Sequence, residues 1–578
     1  MTDNYSFRKA SMPQSLSQFT PYVKKDFNYI GDLNNSVYQN SSLTLIQYDC
    51  SSIYNASKMT NCADMFLLLP VNYCAQLQTA GGASIAPTAN LVSLLSLKTS
   101  SLNLIYQCDL TINGQVVESV QPQAGIVRSW ELASQLSNDD VMGGDGQVLG
   151  FSSALDNPAS VFYSAVGVDG ASTPGISNNY VFGGGTNALS AYATDVQLNQ
   201  GILNAGVVNR AIQEKIQKFA VANAALSENN VYGAAQLVNL QQLNNEFRPT
   251  ISYIAGNYIV YNDYVVIKLK DLFPSLQALM LRKLDAVIRL YVNTGLFSVG
   301  VTNPNLATQR ITFSQVNSTF QTVCPLMISN ITLPATTASV TCGLFIGNAP
   351  NYTITTAGGG GVVNFAGITS NLQNTRLYFS QIDLETMKGI EYIESNRAKK
   401  IIYPSYYYNF YSNIAGNNSS FSQLVNSGIT NPLGLLIIPY IASSTLGFSQ
   451  YLSPFDPAGG VGSSPCSLIN IQVQLGGNQV YTSPYNYAFE SYIEQISLFN
   501  KSTANEYGVE SGLVSNRWWQ MNRHYYFDLS RSSPDDKNTP RNLQINFNNN
   551  SLVPIDIIVI TYYANEFTID VSTGLVKK

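Results

Sequence analysis

Alternating and continuous apolar segments predict β-strands along most of the chain. Apolar and polar residues alternate over residues 471–475 and 543–547, which is the period of a strand with one buried face. Continuous apolar runs at residues 66–69 and 557–560 predict strands buried on both faces. Turns rich in Gly, Pro, Asn and Ser separate these segments. This recurrence is typical of β-sandwiches and barrels rather than of alternating β and α units.

Three segments have helical spacing instead, near residues 209–220, 383–393 and 485–499, and a helix-like turn surrounds Trp130. We expect each of the three to be a helix packed against a sheet rather than a ligand site. Their apolar stripes consist of Ile212, Ile216, Phe219 and Ala220; of Leu384, Met387, Tyr392 and Ile393; and of Tyr485, Phe489, Tyr492, Ile493, Ile496 and Phe499.

Residues 1–40 are polar and show no periodicity, so they are expected to form an N-terminal arm outside the packed core. The arm carries four cations, Arg8, Lys9, Lys24 and Lys25. Its first residues lack the basic and then apolar profile of a signal peptide, so none is expected. No uncharged apolar run approaches the roughly 18 residues that a membrane-spanning helix needs.

A basic cluster at Arg397–Lys400 follows a helical segment and precedes the strand-like aromatic run 403–411. We place a domain boundary there, which gives a first β unit over residues 41–395 and a second over residues 396–578. Segments 164–208 and 355–362 are rich in Gly, Ala, Ser and Asn, which predicts long exposed loops.

Composition supports a mainly β, ordered protein. Hydrophobic residues make up 45% of the 578 residues and charged residues only 11%, against roughly 25% charged residues in an ordinary soluble domain. The 36 Tyr and 25 Phe argue against disorder. Coiled coils need many more Glu, Lys and Arg.

The chain offers few residues for catalysis. One histidine, His524, excludes a His-based metal centre and makes any Ser-His-Asp or Cys-His site depend on that residue. Residues 143–146 (Gly-Gly-Asp-Gly) do not follow a convincing strand or open a helix, so a surface loop is favoured over a phosphate site. The carboxylate pairs Asp139/Asp140, Asp383/Glu385 and Asp535/Asp536 are neighbours in sequence, whereas a glycosidase needs carboxyls facing each other across a bond. We expect no enzyme, cofactor or metal site.

Seven dispersed cysteines form no C-x-x-C pair, which predicts free, buried thiols in a reducing compartment. The net charge of −5 argues against nucleic-acid binding by the whole surface, although a local basic arm remains possible. The tyrosines, including those at 406–408, favour protein–protein contact over stacking on sugars or bases.

Ordered sequence blocks resemble the double jelly-roll major capsid proteins of polinton-like viruses and virophages. The more specific blocks lie in the second half and include Gly434-Leu435-Leu436-Ile437-Ile438-Pro439-Tyr440. The blocks that carry the resemblance are 42–45, 52–58, 63–70, 97–98, 104–105, 113–114, 150–151, 266–273 and 324–327 in the first half, and 376–378, 399–403, 434–440, 453–456, 475–478, 511–513 and 525–531 in the second.

The resemblance implies two consecutive eight-stranded antiparallel jelly rolls with a few short helices and long loops, the segment at about 155–260 being a large loop insertion in the first. It also implies a homotrimeric, pseudo-hexagonal capsomer that self-assembles into an icosahedral shell enclosing a DNA genome. The expected partners are neighbouring capsomers and the penton and minor or cement capsid proteins, with a virion location. The arm cations Arg8, Lys9, Lys24 and Lys25 are candidates for contact with these partners or with packaged DNA.

The alternative is a trimeric receptor- or glycan-binding spike or adhesin rich in β-structure. Such a protein would also use Tyr, Asn and Gly. Repeats or a coiled-coil stem for trimerisation would favour it, and the sequence shows neither.

Overall fold

The three-dimensional structure is a computed structural model. It describes residues 22–35, 37–40, 42–53, 58–87, 95–97, 100–120, 122–136, 163–164, 175–176, 195–197, 251–282, 285–302, 310–320, 324–328, 334, 336–349, 351, 353–357, 361–368, 374–395, 397–442, 444, 466–481, 484, 486–502, 514, 519, 523–530 and 539–577.

Strands dominate the described residues. Those of the first half are β1 (Tyr22–Gly31), β2 (Leu43–Asp49), β3 (Met59–Gln78), β4 (Ser84–Ile85), β5 (Leu95–Leu97), β6 (Ile105–Ile112), β7 (Gln115–Val120), β8 (Tyr163–Ser164), β9 (Gly175–Ile176), β10 (Asp195–Gln197), β11 (Ile251–Ala255), β12 (Tyr258–Lys268), β13 (Met280–Leu281), β14 (Ala286–Asn293), β15 (Gly295–Thr302), β16 (Arg310–Ser318), β17 (Leu326–Ile328), β18 (Ser339–Ile346), β19 (Thr353–Thr355), β20 (Val362–Asn364) and β21 (Arg376–Leu384). Those of the second half are β22 (Lys399–Ile414), β23 (Ser419–Ile429), β24 (Pro432–Ile441), β25 (Leu468–Leu475), β26 (Asn478–Gln479), β27 (Tyr525–Asp528), β28 (Arg541–Asn549), β29 (Ile555–Ile569) and β30 (Val576–Lys577).

Eight strands of the second half form a jelly roll. In chain order they are β22 to β29, and they lie in two sheets with the orders β22-β29-β24-β27 and β23-β28-β25-β26. The first, eighth, third and sixth strands thus form one sheet, and the second, seventh, fourth and fifth form the other. All of these pairings are antiparallel. Two sheets in this order are the double Greek key of a jelly roll.

The first half repeats the same order. Its eight strands are β1, β2, β3, β6, β7, β12, β14 and β21, arranged as β1-β21-β3-β12 and β2-β14-β6-β7. Strands β15, β16 and β18 extend the first of these sheets beyond β3. The expectation of two consecutive eight-stranded antiparallel jelly rolls is therefore confirmed.

The helices are short. They are α1 (Ala124–Gln135), α2 (Leu269–Leu272), α3 (Thr386–Ser395) and α4 (Phe489–Ser502), with 3₁₀ turns at Cys50–Ile53, Ser101–Leu104 and Pro274–Ala278. Helices α1, α3 and α4 confirm the predictions around Trp130, 383–393 and 485–499. The stripe at 212–220 and Tyr485 lie outside the described residues. Among the described helices, none is long and apolar enough to cross a bilayer.

The prediction that residues 1–40 lie outside the packed core is wrong for their described part. β1 pairs along its length with β21 and is the first strand of the first jelly roll. Beyond it, the Asp32 carboxylate and the Tyr38 hydroxyl are buried and both bind Thr375. The sequence does not predict β1 because it is an edge strand whose apolar residues Val23, Phe27 and Tyr29 are exposed, so its sequence shows no burial pattern.

Two segments predicted to be loops contain strands or buried residues in the structure. The insertion predicted at about 155–260 overlaps β11 and the start of β12, the sixth strand of the first jelly roll. The predicted loop at 355–362 connects the small hairpin β19–β20, and Thr356 within it is buried. Most of segment 164–208 lies outside the described residues.

Among the described strands, none of β1–β21 pairs with any of β22–β30. One hydrophobic cluster nevertheless includes residues of both halves. The two jelly rolls therefore share a buried interface while keeping separate sheets, and a boundary near residues 396–400 remains our interpretation of the sequence.

Candidate interaction surfaces

The cations predicted to make contacts have different positions. Lys24 and Lys25 lie on β1, and Arg8 and Lys9 lie outside the described residues. Lys25 Nζ is 2.7 Å from Asp64 Oδ2 on β3, and Lys24 Nζ is 2.9 Å from Asp26 Oδ1. Hydrogen bonds from Lys58 and Lys24 hold the pKa of Asp26 below its usual range. The Lys25 pair joins β1 to β3, whereas the Lys24 pair lies within β1.

An aromatic row crosses the outer face of the sheet that β1 borders. Tyr29, Tyr378, Phe66 and Lys268 are direct cross-strand neighbours on β1, β21, β3 and β12. The Phe66 and Tyr378 rings stack with centroids 4.9 Å apart, and Tyr29 lies 5.4 Å from Tyr378. Such pairs stabilise the sheet beyond simple burial. We call these four residues the aromatic row.

The surface around the aromatic row is open and cationic. Tyr29 is 54% exposed and its neighbour Phe27 is 63% exposed. The Arg376 guanidinium lies 4.7 Å from the Tyr29 ring centroid, a cation–π contact. Exposed aromatic residues beside cations are typical of protein contact surfaces.

The two jelly rolls meet at α1, which follows β7 in the first and projects against the second. Trp130 is fully buried, with its ring 5.4 Å from that of Tyr526 on β27 and 6.1 Å from that of Tyr562 on β29. The Tyr403 hydroxyl donates to the Val117 carbonyl at 2.8 Å, which joins β22 to β7. We call this contact region the inter-unit joint.

Buried charges form the polar part of the joint. Arg128 on α1 is 2% exposed; its Nη1 lies 2.7 Å from Glu131 Oε2 and its Nη2 lies 3.7 Å from Glu118 Oε1. Its guanidinium lies 5.8 Å from the Tyr406 ring of the second jelly roll. Burial raises the pKa of Glu118 to about 7, although Arg128 and hydrogen bonds from Ser275 oppose this rise. The shorter contact shows that Arg128 pairs chiefly with Glu131.

The surface prediction for Tyr406–Tyr408 is only partly right. Tyr406 is buried in the joint, whereas Tyr407 is 39% exposed and stacks on Tyr563 with centroids 4.5 Å apart. The burial of Tyr406 and the Arg128 cluster could not be read from the sequence, because their members are brought together only by the docking of the two units.

Within the part of the chain that the structure describes, the residues considered for catalysis are not grouped into a site. His524 is fully buried and packs edge-on against Tyr492, with ring centroids 5.0 Å apart. Asp383 and Glu385 lie at the end of β21, and the other two carboxylate pairs lie outside the described residues. Among the described residues, no group of His, Cys, Asp and Glu has the spacing of a metal site.

All seven cysteines are buried and none forms a disulfide, as expected. Burial raises the pKa of the Cys62 thiol to about 12. A buried thiol with a raised pKa is a poor nucleophile at neutral pH. The cysteines therefore serve as small core residues.

Comparison with known proteins gives structural similarity only. No protein-family model matches the chain, and no curated protein matches it. Solved structures match over nearly the whole chain: the Sputnik virophage structure (11% identity, 98% of this chain and 91% of that chain, TM-score 0.49), the Faustovirus major capsid protein (10%, 97% and 93%, 0.42) and the mavirus major capsid protein (8%, 99% and 92%, 0.39). The jelly-roll assignment itself rests on the strand orders within this chain.

Proposed function

We propose that the chain is a viral major capsid protein. Three copies form a homotrimeric capsomer, and capsomers assemble into an icosahedral shell around a DNA genome. The observation that carries this proposal is the jelly-roll strand order, present twice in one chain. Jelly rolls are a recurrent architecture of capsid proteins. The ordered sequence blocks that resemble double jelly-roll capsid proteins of polinton-like viruses and virophages support the same conclusion.

The repeated unit explains a pseudo-hexagonal capsomer. Closed rings are the usual form of homo-oligomers. Three chains with two similar jelly rolls each supply six similar units around one axis, which gives a nearly hexagonal outline. A hexagonal outline allows capsomers to tile the shell.

Several features fit a structural rather than a catalytic role. The described residues considered for chemistry are either in the core or dispersed, as His524 and the cysteines illustrate. The free thiols agree with assembly inside a host cell, in a reducing compartment, before the protein becomes part of the virion.

The N-terminal residues would supply contacts with neighbouring capsomers, with penton and minor or cement proteins, or with packaged DNA. Because Lys25 pairs with Asp64 on β3, its contribution is to hold β1 in place, and Lys24 pairs with Asp26 on its own strand. Arg8 and Lys9 would then make the contacts with these partners.

Deleting residues 2–21 tests this role while leaving β1 intact. We expect trimers of normal stability but fewer or less stable shells, or shells with less DNA. Sedimentation of shells and their DNA content would be compared with a full-length chain. Normal yield, stability and DNA content would contradict the role of the N-terminal residues and leave the capsid proposal standing.

Shell formation separates the capsid proposal from the spike or adhesin alternative. The purified chain, expressed alone and with its viral minor proteins, would be examined by gradient sedimentation and electron microscopy. The chain expressed alone would also be tested for binding to immobilised glycans. We expect sheets or shells of hexagonal capsomers and no specific glycan binding. Isolated trimers that bind glycans and never form sheets or shells would favour the alternative.

A further inference from the structure

The inter-unit joint is asymmetric, because the two jelly rolls contribute different elements to it. The first unit contributes α1, which lies between β7 and β12, its fifth and sixth strands. The second unit contributes the outer face of its sheet β22-β29-β24-β27, where Tyr562 and Tyr526 contact Trp130. Tyr526 points away from the second sheet of its own jelly roll, since the preceding residue, Tyr525, accepts a hydrogen bond from Leu468 N–H in that sheet. The joint is therefore a heterologous contact, helix to sheet face.

The matching sheet face of the first unit has no such cover among the described residues. It is the face of sheet β1-β21-β3-β12 that carries the aromatic row. Tyr378 and Phe66 are half-buried and Tyr29 is 54% exposed, whereas Tyr406, Tyr562 and Tyr526 in the matching sheet of the second unit are at most 2% exposed.

The matching helix of the second unit is α4, which lies between its fifth and sixth strands, β26 and β27. Tyr492 and Ile496 on one side of α4 are fully buried, and Tyr492 packs both on His524 of its own unit and on α1, through Ser134 and Trp130. The other side exposes Glu490 and Glu494, one helical turn apart. By contrast, Arg128 and Trp130 of α1 are buried in the joint.

We propose that α4 of one copy docks on the aromatic row of the next copy, repeating between chains the contact that α1 makes within one chain. This inference rests on the proposed capsomer and names the surface that holds it together. The occupant of the open face is thus a second copy of this chain.

Charge favours this pairing. Arg376 beside Tyr29 supplies a cation to this sheet face, while the Lys25 charge is balanced by Asp64. The exposed side of α4 carries two carboxylates. Complementary charges favour this register and disfavour docking of one sheet face on another.

A head-to-tail contact of this kind closes into a ring when its rotation divides a full turn. In the described residues each chain offers one open sheet face on its first unit and the exposed side of one helix on its second, so each copy binds two neighbours. The proposed pseudo-hexagonal capsomer requires one sixth of a turn between neighbouring units, so that the ring closes after six units. Six units are three chains.

Charge reversal at the two surfaces tests the proposal. We expect Arg376→Glu and Glu490→Arg each to raise the concentration at which trimers dissociate by at least tenfold, and the double variant to recover most of this loss. Native mass would be measured by light scattering over a dilution series. Lys400→Glu, at an exposed ion pair with Glu566 on the second unit, serves as the control and should not change trimer dissociation. Circular dichroism and thermal unfolding of each variant would establish that the chain is folded.

Cross-linking gives an independent test that does not depend on charge. A bismaleimide should join Tyr29→Cys of one copy to Glu494→Cys, on the exposed side of α4, of another when the two single variants are mixed, while the buried native cysteines stay unreactive. Trimers that are unaffected by either reversal and give no cross-link would overturn this inference and leave the capsomer proposal intact. A monomeric wild-type chain would overturn the capsomer proposal itself.

Discussion

Individual residues in the inter-unit joint combine strong packing with buried charge. Removing one member of a buried ion pair leaves an uncompensated charge and typically costs about 3–5 kcal/mol. Arg128 faces two carboxylates, Glu131 at 2.7 Å and Glu118 at 3.7 Å, so one of them is poorly compensated. We infer that the cluster fixes how the two units dock more than it adds to stability.

The Glu118 carboxyl makes stability depend on pH. Its pKa is about 7 in the folded protein, against 4.5 ordinarily. The folded chain therefore keeps this proton to higher pH than the unfolded chain does. The contribution of Glu118 to the free energy of unfolding falls as pH rises from 4.5 to about 7 and is constant above, by at most about 1.4 kcal/mol per pH unit.

Glu118→Gln should remove this dependence. The free energy of unfolding of the variant, compared with that of wild type at the same pH, should therefore be higher at pH 8 than at pH 5. The measurement is denaturant unfolding of both proteins at the two pH values. Glu566→Gln, at an exposed pair, is the control and should follow wild type. Equal pH dependence in wild type and Glu118→Gln would contradict the assignment.

Gly434 on β24 is a second residue whose identity is fixed by packing. A Cβ added there would overlap the phenol ring of Tyr526, part of the joint, whereas one added at Gly31 on β1 would meet no atom within 4 Å. Gly434→Ala should lower the free energy of unfolding by about 1–3 kcal/mol, as overpacking of a core does. Gly31→Ala should leave it within about 0.5 kcal/mol. Equal thermal stability of the two variants would refute this reading of the joint.

At the level of elements, α1 connects the two jelly rolls. Truncating a buried tryptophan costs about 3–5 kcal/mol, so Trp130→Ala should lower stability strongly and weaken the coupling between the two units. Thermal and denaturant unfolding would measure both effects. Ile390→Ala, an exposed position on α3, should have an effect of about 0.5 kcal/mol or less. A Trp130→Ala variant as stable as Ile390→Ala would show that α1 does not hold the units together.

Strands and helices with one buried face could be predicted from the sequence, because burial of one face makes apolar residues recur at the period of the element. This holds for β25, β28 and α4. β1 could not be predicted in this way, since its fold depends on backbone pairing with β21, about 350 residues away, and its apolar side chains stay exposed. For the same reason the aromatic row, which joins four strands distant in sequence, became visible only in the structure.

For the whole molecule, repetition is the central property. One strand order occurs twice, and among the described residues the contact between the two units covers the outer sheet face of the second unit but not that of the first. The proposed self-association would bury that open face, and the low content of charged residues, 11%, would reduce the cost of burying it.

The most direct test of the account is the native mass of the purified chain, measured by light scattering after size exclusion, with negative-stain imaging of the same peak. The account predicts a species of three times 63.0 kDa with a hexagonal outline. A stable monomer at micromolar concentration would contradict it.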